Sequence, residues 1–143
     1  MEIDAALLCD AATIREGLLH LLGGPITRLW RPILPAPLGI AFAAILSMTP
    51  EELALPHEVA IMIRNEEHVI AQVMGAVQGG AAPLANIEPG EMLLAPTAVP
   101  LHGVGTDRYG RHTLSVSIDH GAAERDIHFW VLHPQEQLLP PMR

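Results

Sequence analysis

The sequence predicts an all-β fold, a two-sheet antiparallel β-sandwich of immunoglobulin-like or related type. Three observations lead there. Leu114, Val116 and Ile118 alternate with Thr113, Ser115, Ser117 and Asp119, and Ile127, Phe129 and Val131 alternate along a second arm. A period of two sends the apolar set of each arm to one face. The same alternation recurs at Val59, Ile61 and Ile63 and again along residues 69–78, on either side of Asn65-Glu66-Glu67-His68. Finally, about eight short stretches of this kind are separated by turn residues, which is the spacing of a sandwich and not of βαβ units.

The first element is ambiguous from its residues alone. Ile3, Leu7, Ile14, Leu18 and Leu21 line one face of a helix that Gly23-Gly24 would end. The alternative is a strand over 2–9, a turn around 13–17 and a short strand over 18–22. Helix propensity of Ala and Leu favours the former. A short strand over 26–30 follows the Gly23-Gly24-Pro25 turn. Residues 31–37 form a proline-punctuated link, extended because a residue before proline is pushed out of the helical region. Over 38–48, Leu38, Ile40, Phe42, Ala44, Leu46 and Met48 share one face, and Gly39, Ala41, Ala43, Ile45 and Ser47 the other. Large on one side and small on the other suits a central strand covered on both faces. Thr49-Pro50-Glu51-Glu52 is suited to capping one helical turn.

Residues 57–64 and 69–78 form a hairpin. Residues 79–90, rich in Gly, Ala and Pro, read as a loop. In the strand over 92–101, Pro96 and Pro100 argue for a sheet edge, since proline cannot donate to a ladder. Residues 102–110 are a loop leading into the last hairpin. There, a loop over 120–125 sets Ile118 opposite Ile127, Val116 opposite Phe129 and Leu114 opposite Val131, so both apolar faces coincide. By length the chain is one domain, residues 1–133, with a proline-rich tail at 134–143 that is expected to be partly disordered.

Composition narrows function mainly by exclusion. Of 143 residues, 50% are hydrophobic and only 17% charged, against about 25% charged in typical domains. Either surface is buried in an oligomer or against a protein partner, or the abundance of Ala explains both figures. Net charge is −8, there is no lysine, and the eight arginines are scattered singly. Nucleic acid and anionic membranes both need clustered positive charge, so neither is an expected partner. Cys9 is the only cysteine and has apolar neighbours, which favours a buried small hydrophobe over a reactive thiol. Met1-Glu2-Ile3-Asp4 lacks the basic start of a signal peptide, and the apolar run over 38–46 falls short of the ~20 residues of a membrane span. The expected location is the cytoplasm.

Several segments together resemble a known family: Ala5-Ala6-Leu7-Leu8-Cys9-Asp10, Glu16-Gly17-Leu18 through Leu22-Gly23-Gly24, the stretch 35–46, Gly110-Arg111-His112, Val116-Ser117-Ile118-Asp119 and Phe129-Trp130-Val131. They are similar to an uncharacterised bacterial family of short proteins, a domain of unknown function, over nearly the whole chain. These motifs imply a fold and no activity. The resemblance implies strands in the N-terminal third, against the single helix. Its members often carry Gly-x-Tyr where this chain has Gly110-Arg111-His112. A Tyr there resembles the tyrosine corner of immunoglobulin-like sandwiches. Here His112 would serve in its place, or Tyr109 would have moved into that role.

Candidate chemistry is sparse. Among eight histidines, His112 and His133 are weak metal candidates, because the hairpin register above sets them opposite each other on one face. A third ligand is missing, and Asp107 or His102 in the preceding loop would have to reach in to supply it. No HExxH motif, cysteine pair or tight His-x-His spacing adds support, and ordinary strand-end histidines are the favoured reading. Glu51-Glu52 and Glu66-Glu67 lie in turns, where carboxylates are solvated. Asp10 beside Arg15 is a turn former. No Gly-x-Ser-x-Gly elbow is present, and Gly103-Val104-Gly105 is too short for a phosphate loop. No catalytic residue and no cofactor is assigned.

Trp130, Leu132 and His128 share a parity opposite to Ile127 and Phe129, so they point away from the core. An outward Trp is a candidate interface anchor. Trp30, between Arg28 and Arg31, is a weaker one. The leading expectation is a non-enzymatic interaction or assembly module, self-associating through an apolar sheet face. The alternative is a small-molecule or metal-binding protein, possibly an enzyme, with its site in the loops 79–90 and 102–110 at one end of the sandwich.

Overall fold

Nearly every stretch with period-two alternation finds a partner strand. A computed structural model describes residues 1–77 and 86–137, and over these the chain is all-β. Its elements are β1 (Glu2–Cys9), β2 (Ala11–Arg15), β3 (Leu18–Leu22), β4 (Arg28–Trp30), β5 (Ala36–Pro37), β6 (Ala41–Met48), α1 (Pro50–Leu53), β7 (His57–Asn65), β8 (Val69–Val77), β9 (Leu93–Pro100), β10 (Gly105–Thr106), β11 (Gly110–Ile118) and β12 (Ala123–Leu132), then a 3-10 turn at Pro134–Gln137. One sheet has the order β1-β6-β9 and another the order β4-β12-β11-β7-β8, while β2-β3 and β5-β10 form two small ladders. No helix among the described residues is long and apolar enough to cross a membrane.

The two larger sheets share one core. Leu8, Phe42 and Leu46 from the first sheet pack in the same buried cluster as Ile63, Leu114 and Phe129 from the second. Hydrophobic burial on that scale is what offsets the chain entropy of ordering so many strands. The small face of β6 has its own cover. Ala41 and Ala43 pack with Cys9, and Ala12 and Leu19 of the β2-β3 hairpin lie against them. Small side chains on that face let the hairpin approach closely, which is why the strand is large on one side and small on the other. Cys9 is fully buried, and burial pushes its thiol pKa up.

Most local expectations hold. Residues 2–22 hold three strands and no helix, β6 is central, β7 and β8 form a hairpin, and β9 is a sheet edge. Thr49 caps α1 with a reciprocal capping box, its side chain accepting from the Glu52 N–H while Glu52 accepts from the Thr49 N–H. Other features differ. The turn expected around 13–17 is tighter, with β2 running to Arg15 and Glu16 and Gly17 both at positive φ. The strand expected over 26–30 pairs only over Arg28–Trp30, and it pairs with β12 in parallel, so the second sheet is not wholly antiparallel. The loop expected over 79–90 falls partly, and the tail over 134–143 largely, outside the described residues.

The largest correction is the register of the last hairpin. Ile118 faces Ala123, Leu114 faces Ile127 and His112 faces Phe129. The turn is residues 119–122 and not 120–125, which slides β12 by four residues. Asp119 and His120 take positive φ ahead of Gly121, and that local geometry closes the hairpin earlier. An even slide keeps every side chain on its face, so the parity assignments survive while the pairs change.

Candidate functional site: the outer face of the five-stranded sheet

The pairing of β4, β12, β11 and β7 fixes which side chains stand in rows on the face turned away from the core. Arg28, Trp130 and Arg111 form one row. His128, Thr113 and Arg64 form the next, then Asp126, Ser115 and Met62, and then Glu124, Ser117 and Ala60. Trp130 is 41% exposed, flanked in register by the two arginines. Arg111 Nη2 lies 3.2 Å from both ring nitrogens of His128, and Thr113 Oγ1 lies 3.0 Å from His128 Nδ1. Between Arg64, Glu66, Arg111, Thr113 and His128 is a shallow depression of about 310 Å³. Among the described residues, Arg28, Arg64 and Arg111 join no ion pair, nor do Glu124 and Asp126.

Trp130 and His128 are therefore outward, as their parity requires, while Leu132 is half-buried. The face is amphipathic and not the apolar one expected from composition. Arg64 and Arg111 were open to discovery from strand parity alone. Arg28 was not, because it reaches this face only through the parallel pairing of β4 with β12.

The histidines separate. His112 is fully buried against Phe129, with ring centroids 5.3 Å apart, and burial holds its pKa below the usual range. The Gly110 carbonyl, 3.0 Å away, must accept from Nδ1–H, so Nε2 accepts from the Thr106 hydroxyl at 2.8 Å. Both ring nitrogens are thus engaged. His133 is not opposite it, because the shortened turn shifts the register, and instead meets Tyr109 edge-on at 5.8 Å. Tyr109 donates its hydroxyl to Arg31 O at 2.8 Å. His102 reaches the Asp10 carbonyl at 2.7 Å. Among the described residues, no three His, Cys, Asp or Glu side chains gather as a metal group would need.

One pair stood outside the sequence reading. His57, buried, lies 2.6 Å from Asp119 Oδ2 through Nδ1, and its Nε2 meets the Glu52 carbonyl. Two acceptors require two ring protons, so this arrangement fits an imidazolium. The bond to Asp119 raises the His57 pKa first, helped by the Glu52 carbonyl, and the bond from His57 lowers that of Asp119, helped by the Glu58 N–H. Both ring nitrogens being spent on acceptors, His57 is a clamp between β7 and the β11-β12 turn and not a general base.

The sequence pattern of a family of unknown function, DUF6941, matches residues 4–131, nearly the whole of this architecture. The chain belongs to the DUF6941 family. No curated protein and no solved structure of another protein matches it. In this DUF6941 chain the matched span takes in both larger sheets and ends at Val131, one residue past Trp130.

Proposed function

We propose that this DUF6941 chain is a non-enzymatic interaction or assembly module of the cytoplasm, which self-associates through the outer face of its five-stranded sheet. The observation that carries the reading is Trp130, 41% exposed on a face turned from the core and flanked in register by Arg28 and Arg111. Trp and Arg are the residues enriched where binding energy concentrates. The scaffold we propose is an immunoglobulin-like sandwich. The order β1-β6-β9 corresponds to strands A, B and E, and β12-β11-β7-β8 to G, F, C and the added C′. His112, near the start of β11, bonds back to Thr106 and supplies the tie that a tyrosine corner would.

Trp130→Glu puts a charge where a partner would seat an aromatic ring. Hot-spot losses of about 2 kcal/mol correspond to a dissociation constant raised about 30-fold. Sedimentation velocity over a concentration series reads this directly, with circular dichroism showing that the fold is kept. An unchanged mass distribution would overturn the reading.

A second reading, a small polar ligand bound near the loop 102–110, draws on one specific group. Asn65 Nδ2 is buried without a hydrogen-bond partner among the described residues, beside a depression lined by Arg108, Tyr109 and Arg111. Native mass spectrometry of the gently purified protein separates the two, since a monomer carrying a defined extra mass would favour the ligand.

A further inference from the structure

We infer that the partner of this face is a second copy of the chain, laid on it about a two-fold axis that runs across the strands, so that the basic end of each copy covers the acidic end of the other. This rests on the reading of the outer face as a self-association surface, and adds the orientation of the second copy and the charge pairing that selects it. The face is polarised along its strands. Arg28, Arg111 and Arg64 occupy the rows of Trp130 and His128. Asp126 and Glu124 occupy the next two, and Glu58 lies beyond Ala60 on β7. Among the described residues, Glu66 and Glu67 of the β7-β8 turn interrupt the basic end, Glu66 beside Arg64 and Arg111 and Glu67 3.7 Å from Arg108. From Trp130 to Glu124 is six residues of strand, about 20 Å, so the two ends are well resolved beyond a Debye length of about 8 Å.

A net charge of −8 makes two copies repel on average. Association through this face therefore needs local complementarity, and orientation decides whether it exists. With strands parallel, arginines meet arginines and carboxylates meet carboxylates. With strands reversed, each end meets its opposite, and both halves of an isologous contact are satisfied by one pairing. The acidic half of the face is low relief on β11 and β7, with Ser115 in the row of Asp126 and Ser117 and Ala60 in the row of Glu124, which permits sheets to pack at about 10 Å. Four long strands and the short β4 give about 600 Å² in projection. Side-chain relief brings this towards the roughly 800 Å² per partner of a standard interface.

The test uses two charge-reversed variants of the full chain, E124R/D126R and R64E/R111E. All four positions are surface sites on the outer face. Each variant alone should associate at least about tenfold more weakly than wild type, because like ends now meet. Mixed one to one, they should recover association as a heterodimer, which sedimentation of a mixture with one variant labelled will resolve. If the reversals leave dissociation unchanged while Trp130→Glu still disrupts it, the face is right and the reversed two-fold arrangement is wrong. If both reversed variants weaken association but their mixture does not recover it, the arrangement is likewise overturned. If Trp130→Glu also has no effect, the interaction face itself fails.

Discussion

Asp119 bends the chain and clamps it with the same carboxylate. Its φ of 48° lies in the left-handed region, which Asp tolerates better than most residues. One oxygen accepts from the Glu58 N–H at 2.9 Å and the other from His57 at 2.6 Å. The pair makes stability depend on pH in a definite direction. His57 is raised above its unfolded value of about 6.5, so its contribution is complete below that pH and is lost as pH rises through the folded value. Asp119 is lowered, so its contribution is present above about 3.9 and is lost as pH falls through the folded value. The clamp is therefore strongest between about pH 4 and 6.5. Asp119→Asn keeps the turn conformation and a carbonyl oxygen for the Glu58 N–H, but removes the charge. It should cost about 1–2 kcal/mol in that window, discounted for the partial exposure of Asp119, and less near pH 9. Urea unfolding at the two pH values measures this, and a difference that does not vary with pH would refute the clamp. The His57 ring should titrate above the usual range in wild type and fall back in the variant.

The β11-β12 hairpin displays what elements decide that residues do not. Alternation assigns faces, but a slide by any even number preserves them, so Leu114, Val116 and Ile118 were placed inward correctly while their partners were not. The turn made the choice. Gly121, at φ +109, closes it, and a Cβ there would meet Glu124 Oε1 at 3.2 Å. Gly121→Ala should destabilise by about 1 kcal/mol or more, because Ala cannot hold that backbone without strain. Gly75→Ala in β8 is the contrast. Open space surrounds its Cβ position, so it should be neutral or stabilise by up to about 1 kcal/mol. Thermal melts of the two variants side by side check the pair. Elsewhere the legible elements were those settled locally. Thr49 through Glu52 spell a capping box, Asn65 accepts from the Glu67 and His68 N–H groups at the β7-β8 turn, and Pro96 and Pro100 mark an edge. Partnerships between distant segments were not legible. The parallel pairing of β4 with β12 carries Arg28 beside Trp130, and the His57–Asp119 contact joins residues 62 apart. So the anchor of the candidate site was readable from parity, while its charged surroundings needed the topology.

Across the whole molecule, the two larger sheets have no separate interiors. Phe42 on β6 and Phe129 on β12, both fully buried, belong to one cluster that the strands of both sheets line. A sheet that lost its partner would expose one entire apolar face, so neither has a stable state of its own, and unfolding should be a single cooperative transition. The two tryptophans both lie on the five-stranded sheet, Trp130 on β12 and Trp30 on β4, which lets one sheet report on the other. In a Trp130→Phe background, Trp30 fluorescence follows the five-stranded sheet while far-ultraviolet circular dichroism follows all strands. Phe42→Ala lies in the three-stranded sheet. Removing a buried ring there costs about 3–5 kcal/mol, a large share of the ~5–15 kcal/mol that holds a domain together. With a shared core, that substitution should lower the Trp30 transition and the dichroism transition by the same amount, and the two curves should stay superimposed. If the fluorescence midpoint held while the dichroism midpoint fell, the sheets would be unfolding independently. The outer face around Trp130 would then be the surface of a self-sufficient layer, and not of a sheet held rigid from behind by β6.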